Sequence, residues 1–277
     1  MLLKGKPAAD AIIAGLASRG LPKLRLAVFH PVGDASAESY LKAKEKALAR
    51  LDFAIDVVTV GRDTGADAFF ALLDKANRDP GIHGIMIELP LPGGIPAHEV
   101  NLRIDPAKDV DGVSYHNQGL LYATREEKLV PCTALGAVLL LEHYQIPVAG
   151  RRALIVGRSN IVGMPLFKLL LNRDATVTVA HSRTPHLAKL VGGHDIVAVA
   201  TGRPGLVRSV DVADGAAVVD IGINVGPDGC LCGDFAPKDE KESERIHYSP
   251  VPGGAGVVTN AVMLRNLAEC YHIQQGR

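Results

Sequence analysis

A lysine, a tyrosine and a carboxylate in the first hundred residues have the types and spacing of a ligand-binding or catalytic group. Tyr40 and Lys44 are four residues apart in a segment of helical composition, so both side chains lie on one helical face. Glu88 follows a short apolar run and precedes Leu89-Pro-Leu-Pro92, whose prolines prevent continued strand pairing. Glu88 is therefore expected at the carboxyl end of a strand, where open α/β sheets place ligand-binding groups. A solvated lysine-rich helix face and an exposed carboxylate are the alternatives.

A second candidate site is the loop between an apolar run ending at Val156 and a helix predicted from Leu166. Glycine at each end of this loop allows close backbone approach, and free N–H groups at the helix start attract phosphate. The spacing Gly157-x-Ser159-x-x-x-Gly163 is one residue longer than the usual G-x-G-x-x-G and has serine at the second glycine position. The loop therefore indicates a nucleotide site, with an ordinary strand–helix turn as the alternative.

The next predicted strand ends in residues that bear on cofactor choice. A dinucleotide fold normally has an acidic residue there, which binds the ribose hydroxyls of NAD. Ser182 and Arg183 occupy this region instead, and Arg158 adds a second positive charge from the loop, which suits the 2′-phosphate of NADP. Further apolar runs alternate with helical segments, as in a parallel sheet with crossover helices. Residues 133–256 are thus predicted to form a Rossmann-type domain that prefers NADP.

Length and composition narrow the class of protein. The 277 residues suggest two domains or one large α/β domain, and 47% are apolar. Thirty acidic residues balance thirty basic ones, which gives no field favouring nucleic acid or an anionic membrane. No run is long enough to cross a bilayer, and the N-terminus is too short and polar for a signal peptide.

The cysteines and histidines point away from disulfides and metals. Four cysteines do not form a disulfide framework, so reduced thiols and a cytoplasmic location are expected. The histidines show no H-E-x-x-H pattern, and Asp105, Asp109 and Asp111 lack the spacing of a calcium loop. No metal site is predicted.

Six motifs occur along the chain in a single order, and together they are highly specific. They are Tyr40-x-x-x-Lys44-x-Lys46-Ala47, Leu89-Pro-Leu-Pro92, Lys108-Asp-Val-Asp-Gly112, Pro131-Cys-Thr133, Gly157-Arg-Ser-x-x-Val-Gly163-x-Pro165 and Pro250-Val-Pro-Gly-Gly254. In these motifs the chain resembles the methylenetetrahydrofolate dehydrogenase/cyclohydrolase family over nearly its whole length.

The resemblance implies an α/β fold of two domains. The first, residues 1–132, would be an α/β folate-binding catalytic domain to which the C-terminal helix, residues 257–277, returns. The second, residues 133–256, would be the Rossmann-type parallel-sheet domain that binds NADP. The family is typically a homodimer joined through the nucleotide domains, and its substrates are tetrahydrofolate derivatives.

The resemblance also implies a role for each candidate residue. The family's catalytic lysine falls on Lys44, its pterin-stacking tyrosine on Tyr40 and its pterin-binding aspartate on Asp111, with Glu88 beside the lysine. The expected substrate-binding residues are Tyr40, Leu89, Pro90, Asp111, Pro252, Gly253 and Gly254. The expected cofactor-binding residues are Gly157, Arg158, Ser159, Ile161, Val162, Gly163, Ser182, Arg183, Thr201, Gly202, Gly222, Ile223 and Asn224.

The implied chemistry has two steps. Hydride leaves 5,10-methylenetetrahydrofolate for the nicotinamide ring, and the enzyme acts chiefly by positioning the two molecules. Water then adds to the methenyl carbon, which requires proton transfers that a lysine exchanging protons near neutral pH can perform.

Two departures from the family pattern affect these expectations. The family has glutamine where this chain has Glu88, and a carboxylate beside Lys44 favours the charged ammonium form. At about 4 Å and an effective dielectric of about 20, this attraction is of order 4 kcal/mol before desolvation. Dehydrogenase activity is therefore expected to survive and cyclohydrolase activity to be weak or lost, unless a protonated Glu88 mimics glutamine. The segment Gly254-Ala-Gly-Val-Val-Thr259 also lacks the family's proline, which affects the folate contacts there.

Other functions fit parts of the pattern. The chain could be a member that uses NAD, another two-domain dehydrogenase acting on shikimate or an amino acid, or a non-catalytic folate-binding relative. The Leu89–Pro92 motif argues against a shikimate or amino-acid dehydrogenase, because those enzymes lack it. The presence of Tyr40, Lys44 and Asp111 argues against a non-catalytic relative.

Overall fold

The computed structural model describes residues 1–32, 35–92, 94–226, 229–239 and 241–276. It divides into two compact units. Residues 12–132 and 263–277 form the three-stranded unit, and residues 1–11 and 133–262 form the five-stranded unit. The run from Leu24 to Gly33 predicts a strand that leads into a turn, and Gly33 lies outside the described residues.

Helices and strands alternate along most of the described chain. The helices are α1 (Gly5–Ala17), α2 (Ala35–Ala49), α3 (Ala66–Arg78), α4 (Ala97–Arg103), α5 (Tyr115–Ala123), α6 (Cys132–His143), α7 (Gly163–Asn172), α8 (Leu187–Val191), α9 (Glu242–Arg245) and α10 (Ala255–Gln274), with a 3-10 turn at Ser209–Asp211. The strands are β1 (Arg25–Pro31), β2 (Ala54–Val60), β3 (Gly84–Ile87), β4 (Arg152–Val156), β5 (Thr176–Ala180), β6 (Ile196–Val199), β7 (Val207–Arg208), β8 (Ala217–Asp220), β9 (Asn224–Val225), β10 (Leu231–Cys232), β11 (Phe235–Ala236) and β12 (His247–Tyr248).

A parallel sheet of order β2-β1-β3 organises the three-stranded unit. Its central strand β1 is buried from Leu26 to Pro31, as expected for a strand covered on both faces. Phe29 packs edge-on against Phe69 of α3, with ring centroids 5.4 Å apart. Because Phe29 pairs with Ile87 of β3, the residues that follow these two strands emerge side by side.

The end of α10 is anchored to loops of the same unit by one buried polar side chain. Asn266 is fully buried, and its amide donates to the carbonyl oxygens of Val110 and Val130, each at 2.9 Å. This anchoring fixes the loop that carries Asp111. The helix begins at Ala255, two residues before the predicted start.

The five-stranded unit contains a parallel sheet of order β12-β8-β6-β4-β5. Strand β4 lies between β6 and β5, and Ala153–Val156 are buried on both faces. The backbone N–H groups just after β4, β6 and β8 donate to the last carbonyls of neighbouring strands: Gly157 to Ala180, Ala200 to Val156 and Ile221 to Val199. The loops that follow these strands therefore share one carboxyl edge, where such sheets bind ligands.

Two structural features are absent from the described residues. In that part of the chain, none of the helices combines the length and apolarity needed to span a bilayer. The same residues contain no cluster of three or more His, Cys, Asp or Glu side chains placed to hold a metal ion.

Candidate active site

The structure brings Tyr40, Lys44 and Glu88 together in the three-stranded unit. Helix α2 presents Tyr40 and Lys44 on one face, and the Lys44 Nζ lies 5.8 Å from the centre of the Tyr40 ring. The Lys44 Nζ donates to Glu88 Oε1 at 2.6 Å, and these side chains are 12% and 7% exposed. A lysine–carboxylate pair shielded from water in this way interacts much more strongly than a surface pair.

His30 completes this cluster, although sequence reasoning did not select it. It follows Phe29 on β1 and is only 4% exposed, with its Nδ1 2.5 Å from Glu88 Oε2 and its Nε2 3.2 Å from Glu38 Oε1. Burial alone would lower the pKa of His30, but the hydrogen bonds and charges of Glu88 and Glu38 outweigh it and raise the pKa above 6.5. Glu88 therefore contacts two nitrogen bases, one through each carboxylate oxygen.

Asp111 lies in the loop after β3 that is fixed by α10. Burial is the largest effect on its carboxyl group and raises the pKa to about 6, with help from the charge of Asp109. The Cys132 N–H, which donates to Asp111 Oδ1 at 3.2 Å, and the Lys44 ammonium act in the opposite direction. Asp111 thus senses the charge of Lys44 and can carry a proton under mildly acidic conditions.

The raised pKa of Asp111 makes stability depend on pH. An unfolded aspartate loses its proton near pH 4, whereas folded Asp111 keeps it to about pH 6, so the wild type loses stability as pH rises between these values. Since Asp111 is partly exposed, we expect Asp111→Asn to gain on the order of 2 kcal/mol relative to wild type across this window. Urea unfolding between pH 4 and pH 8 measures this difference. Asp63→Asn, on an exposed turn, is the control, and a constant gap between Asp111→Asn and wild type would contradict the assignment.

Leu89 and Pro90 continue directly from Glu88 and are exposed. Leu89 is 55% exposed, and the Leu89–Pro90 peptide bond is cis. They place an apolar surface next to the buried cluster, which suits a flat organic ring system.

The glycines of the nucleotide loop are required by its geometry. Gly157 has φ +132°, and a Cβ there would collide with the carbonyl oxygen of Ala200. A Cβ at Gly163 would collide with the carbonyl oxygen of Gly157. Helix α7 begins at Gly163, three residues before the predicted start at Leu166, and Pro165 lies in its first turn, to which this proline is suited. The result is a backbone cradle that only glycine allows.

Ser159 orders the start of α7. Its Oγ accepts from the N–H groups of Val162 and Gly163 at 3.2 and 3.4 Å. The side chains of Arg158 and Ile161 are exposed on the same loop. Polar, cationic and apolar groups are therefore all available to a ligand at this helix start.

Ser182 and Arg183 lie on the neighbouring loop, after β5. Both are exposed. Val156 pairs with Ala180 in the sheet, so Arg158 and Ser182 each follow a paired strand end by two residues. This register places the basic and hydroxyl groups predicted to select NADP on adjacent loops.

Asp234, which sequence reasoning missed, fixes the loop that contains Thr201 and Gly202. Its Oδ2 accepts from the N–H groups of Thr201 and Gly202 at 2.5 and 2.9 Å and from the Thr201 hydroxyl at 2.9 Å. Its Oδ1 accepts from the Asn224 side chain at 2.9 Å, so one fully buried carboxylate connects the loops after β6 and β8.

A second buried aspartate supports Asp234. Asp220 accepts from the N–H groups of Gly222, Asp234 and Phe235 at 3.0, 3.1 and 2.9 Å. Burial raises its pKa to about 6, and these three hydrogen bonds act against that rise. Ile223 is 43% exposed beyond this network, where it can contact a ligand.

The turn that contains Pro252, Gly253 and Gly254 is tightly built. The Val251–Pro252 bond is cis and Gly253 has φ +101°. The Gly253 carbonyl accepts from the Gly5 N–H at 2.8 Å, and a Cβ at Gly254 would crowd the Pro250 carbonyl. The turn is therefore held in place although this chain lacks the family's proline nearby.

These features define a class of protein before any comparison is made. A parallel sheet with a glycine cradle at its carboxyl edge belongs to dinucleotide-binding folds. A buried lysine–carboxylate pair next to a tyrosine and an apolar rim indicates an enzyme site that moves protons on a bound organic ring. The fold and the site together are those of a dinucleotide-dependent α/β enzyme.

Two family models match the chain. Residues 3–111 match the catalytic domain of tetrahydrofolate dehydrogenase/cyclohydrolase, and residues 131–275 match the NAD(P)-binding domain of the same family. The chain therefore belongs to the tetrahydrofolate dehydrogenase/cyclohydrolase family. The predicted family, the α/β fold class and a nicotinamide dinucleotide as cofactor are confirmed.

Individual relatives agree with this assignment. The bifunctional protein FolD of Heliobacterium modesticaldum is 43% identical over 268 residues, which cover 96% of this chain and 92% of the relative. The structure of the bifunctional enzyme FolD from Campylobacter jejuni superposes with a TM-score of 0.92 at 35% identity, over 99% of each chain. The Trypanosoma brucei methylenetetrahydrofolate dehydrogenase-cyclohydrolase, solved with NADP and an inhibitor, has a TM-score of 0.92 at 31% identity over 100% of this chain and 99% of its own.

Proposed function

We propose that the chain oxidises 5,10-methylenetetrahydrofolate to 5,10-methenyltetrahydrofolate with NADP and then hydrolyses the product to 10-formyltetrahydrofolate. The observation that carries this proposal is the buried Lys44–Glu88 pair beside Tyr40. The name of the Trypanosoma brucei relative includes both activities, and its structure contains NADP.

For the oxidation, we assign folate binding to residues 1–132 with the C-terminal helix, and NADP binding to residues 133–256. When bound, NADP accepts the hydride that leaves the one-carbon unit. Gly157 and Gly163 let the backbone pack closely at the start of α7, whose N–H groups we assign to the pyrophosphate, and Arg158 with Ser182 suits a 2′-phosphate. Tyr40 stacks on the pterin and Asp111 hydrogen-bonds its polar edge. The protein contributes mainly orientation.

For the hydrolysis, Lys44 exchanges protons with the attacking water and the opening ring. Glu88 holds the lysine in place through the 2.6 Å contact. The sequence predicts that Glu88 favours the charged form of Lys44, but this prediction treats the two residues as an isolated pair. His30 provides a second partner for the carboxylate, which reduces the charge that Lys44 experiences.

Glu88→Gln tests the part played by the carboxylate charge. Removing that charge favours the neutral amine of Lys44, so we expect the ratio of hydrolysis to oxidation at pH 7 to rise several-fold to about tenfold, corresponding to up to about one pH unit. Methenyl hydrolysis and NADPH formation are measured separately in each variant. Glu45→Gln, exposed on the same helix, is the control. An unchanged or lower ratio in Glu88→Gln would show that its charge does not restrain Lys44.

We also propose that the protein acts in the cytoplasm, in one-carbon metabolism that supplies purine biosynthesis, and that it forms a homodimer. The product is a formyl donor of the kind that purine biosynthesis uses, and the buried free thiols of Cys132 and Cys270 agree with a reducing cytoplasm. A homodimer would use the edge strand β5, which is partly buried within one chain. Sedimentation equilibrium tests this: a monomer at micromolar concentration would exclude the homodimer.

Purified protein mixed with 5,10-methylenetetrahydrofolate and NADP tests the oxidation. We expect NADPH to appear only when protein, folate and NADP are all present, and more slowly when NAD replaces NADP. Preference for NAD would overturn the role given to Arg158 and Ser182. Tight folate binding without cofactor reduction would instead identify a non-catalytic relative.

A further inference from the structure

His30 stands at the inner end of the candidate active site. It is 4% exposed, and its ring nitrogens face Glu88 Oε2 at 2.5 Å and Glu38 Oε1 at 3.2 Å. The Glu88 N–H donates to the Phe29 carbonyl at 3.0 Å, so the two strand ends that carry His30 and Glu88 are fixed side by side. The sheet therefore fixes the backbone positions from which the His30 and Glu88 side chains meet.

The two carboxylate oxygens of Glu88 contact two different basic side chains. Oε1 accepts from Lys44 Nζ at 2.6 Å, and Oε2 faces His30 Nδ1. When His30 is protonated, its charge cancels that of Glu88, and the pair acts on Lys44 much as a neutral amide would. When His30 is neutral, the full negative charge of Glu88 faces Lys44 and holds it as ammonium.

We propose that His30 is a positioning residue that offsets the charge of Glu88 beside Lys44 and so sets the pH range over which hydrolysis proceeds. This inference rests on the proposed cyclohydrolase function. It gives this chain a histidine–glutamate pair at the place where the family pattern has a single glutamine.

The other charged groups around His30 are consistent with this role. Glu38 faces it from α2 and Glu88 faces it from the end of β3. Lys44 contacts the other oxygen of Glu88, and Asp111 couples to the cluster through Lys44. Glu38 is 53% exposed and is screened by water, whereas Glu88 is buried and dominates. Because these carboxylates raise the pKa of His30, the imidazolium persists above pH 6.5, where it can act on Lys44.

The variant His30→Asn tests whether the positive charge of His30 or its packing affects hydrolysis. The shorter amide can still hydrogen-bond Glu88 but carries no positive charge. We expect the acidic limb of the pH profile for hydrolysis to move up by about one pH unit, which is about a tenfold loss at pH 7. The double variant His30→Asn/Glu88→Gln should follow the profile of Glu88→Gln alone, because His30 has no carboxylate charge left to offset. His98→Asn, exposed on α4, is the control, and thermal unfolding checks that each variant folds.

Two results would overturn the inference. The first is a pH profile for His30→Asn that coincides with wild type. The second is an equal loss from His30→Asn whether residue 88 is glutamate or glutamine, which would indicate a packing role. NMR titration of the His30 imidazole supplies a readout that needs no activity: its midpoint should lie above 6.5 in wild type and fall in Glu88→Gln. If this coupling is seen but wild type hydrolyses no methenyl compound, the proposed function fails and the inference fails with it.

Discussion

Lys44→Met is expected to lower the rate of methenyl hydrolysis by about 10²–10⁴-fold, the usual contribution of a positioned general acid–base group. Methionine is similar in length and apolar, so it fills the space between Tyr40 and Glu88 but cannot carry a proton. Oxidation should fall less, because it depends mainly on binding and orientation.

The measurement is the disappearance of methenyltetrahydrofolate supplied directly, corrected for the protein-free rate. Lys46→Met on the same helix, where the side chain is exposed, is the matched control and should retain hydrolysis. Hydrolysis in Lys44→Met at more than a tenth of the wild-type rate would remove Lys44 from the proton-transfer role. An equal loss of oxidation and hydrolysis would indicate instead that the substitution disrupts folate binding.

Gly157→Ala is expected to weaken NADP binding by about 10- to 100-fold. The φ of +132° is strained for any residue with a side chain, and the added Cβ would collide with the Ala200 carbonyl. Relieving the collision moves the loop and strand end that form the phosphate cradle. Strain and displacement together cost on the order of 2–4 kcal/mol, shared between stability and binding.

Fluorescence titration with NADPH, together with thermal unfolding, separates these two losses. Gly193→Ala in the same unit is the control, because a Cβ there makes only ordinary contacts and φ is not positive. Undiminished NADPH affinity in folded Gly157→Ala would contradict the placement of the cofactor at this loop.

The site residues that the sequence predicts can be recognised from local patterns of residue type and spacing. Tyr40 and Lys44 share a helix face because of their four-residue spacing, and Glu88 ends a strand because prolines follow it. Gly157 and Gly163 bracket a strand–helix turn that composition alone indicates. Such features need no knowledge of which strands are neighbours.

The residues that were missed depend on strand order. His30 reaches Glu88, 58 positions away, only because β1 lies beside β3. Asp234 reaches Thr201, 33 positions away, from a turn-rich segment with no sign of a site. A partial signal existed for His30, since a polar residue directly follows the apolar run that ends at Phe29, as Glu88 follows Ile87. Without the order β2-β1-β3, these two strand ends cannot be paired.

The most direct test of the central claim follows NADPH and the methenyl compound together in one reaction of wild-type protein with 5,10-methylenetetrahydrofolate and NADP. The two-step function predicts that NADPH rises while the methenyl compound stays low and disappears faster than in a protein-free solution. The contrary result is that the methenyl compound accumulates in equal amount to NADPH and decays at the protein-free rate. This result would show that the chain does not catalyse hydrolysis and is a dehydrogenase alone, as expected if Glu88 keeps Lys44 charged.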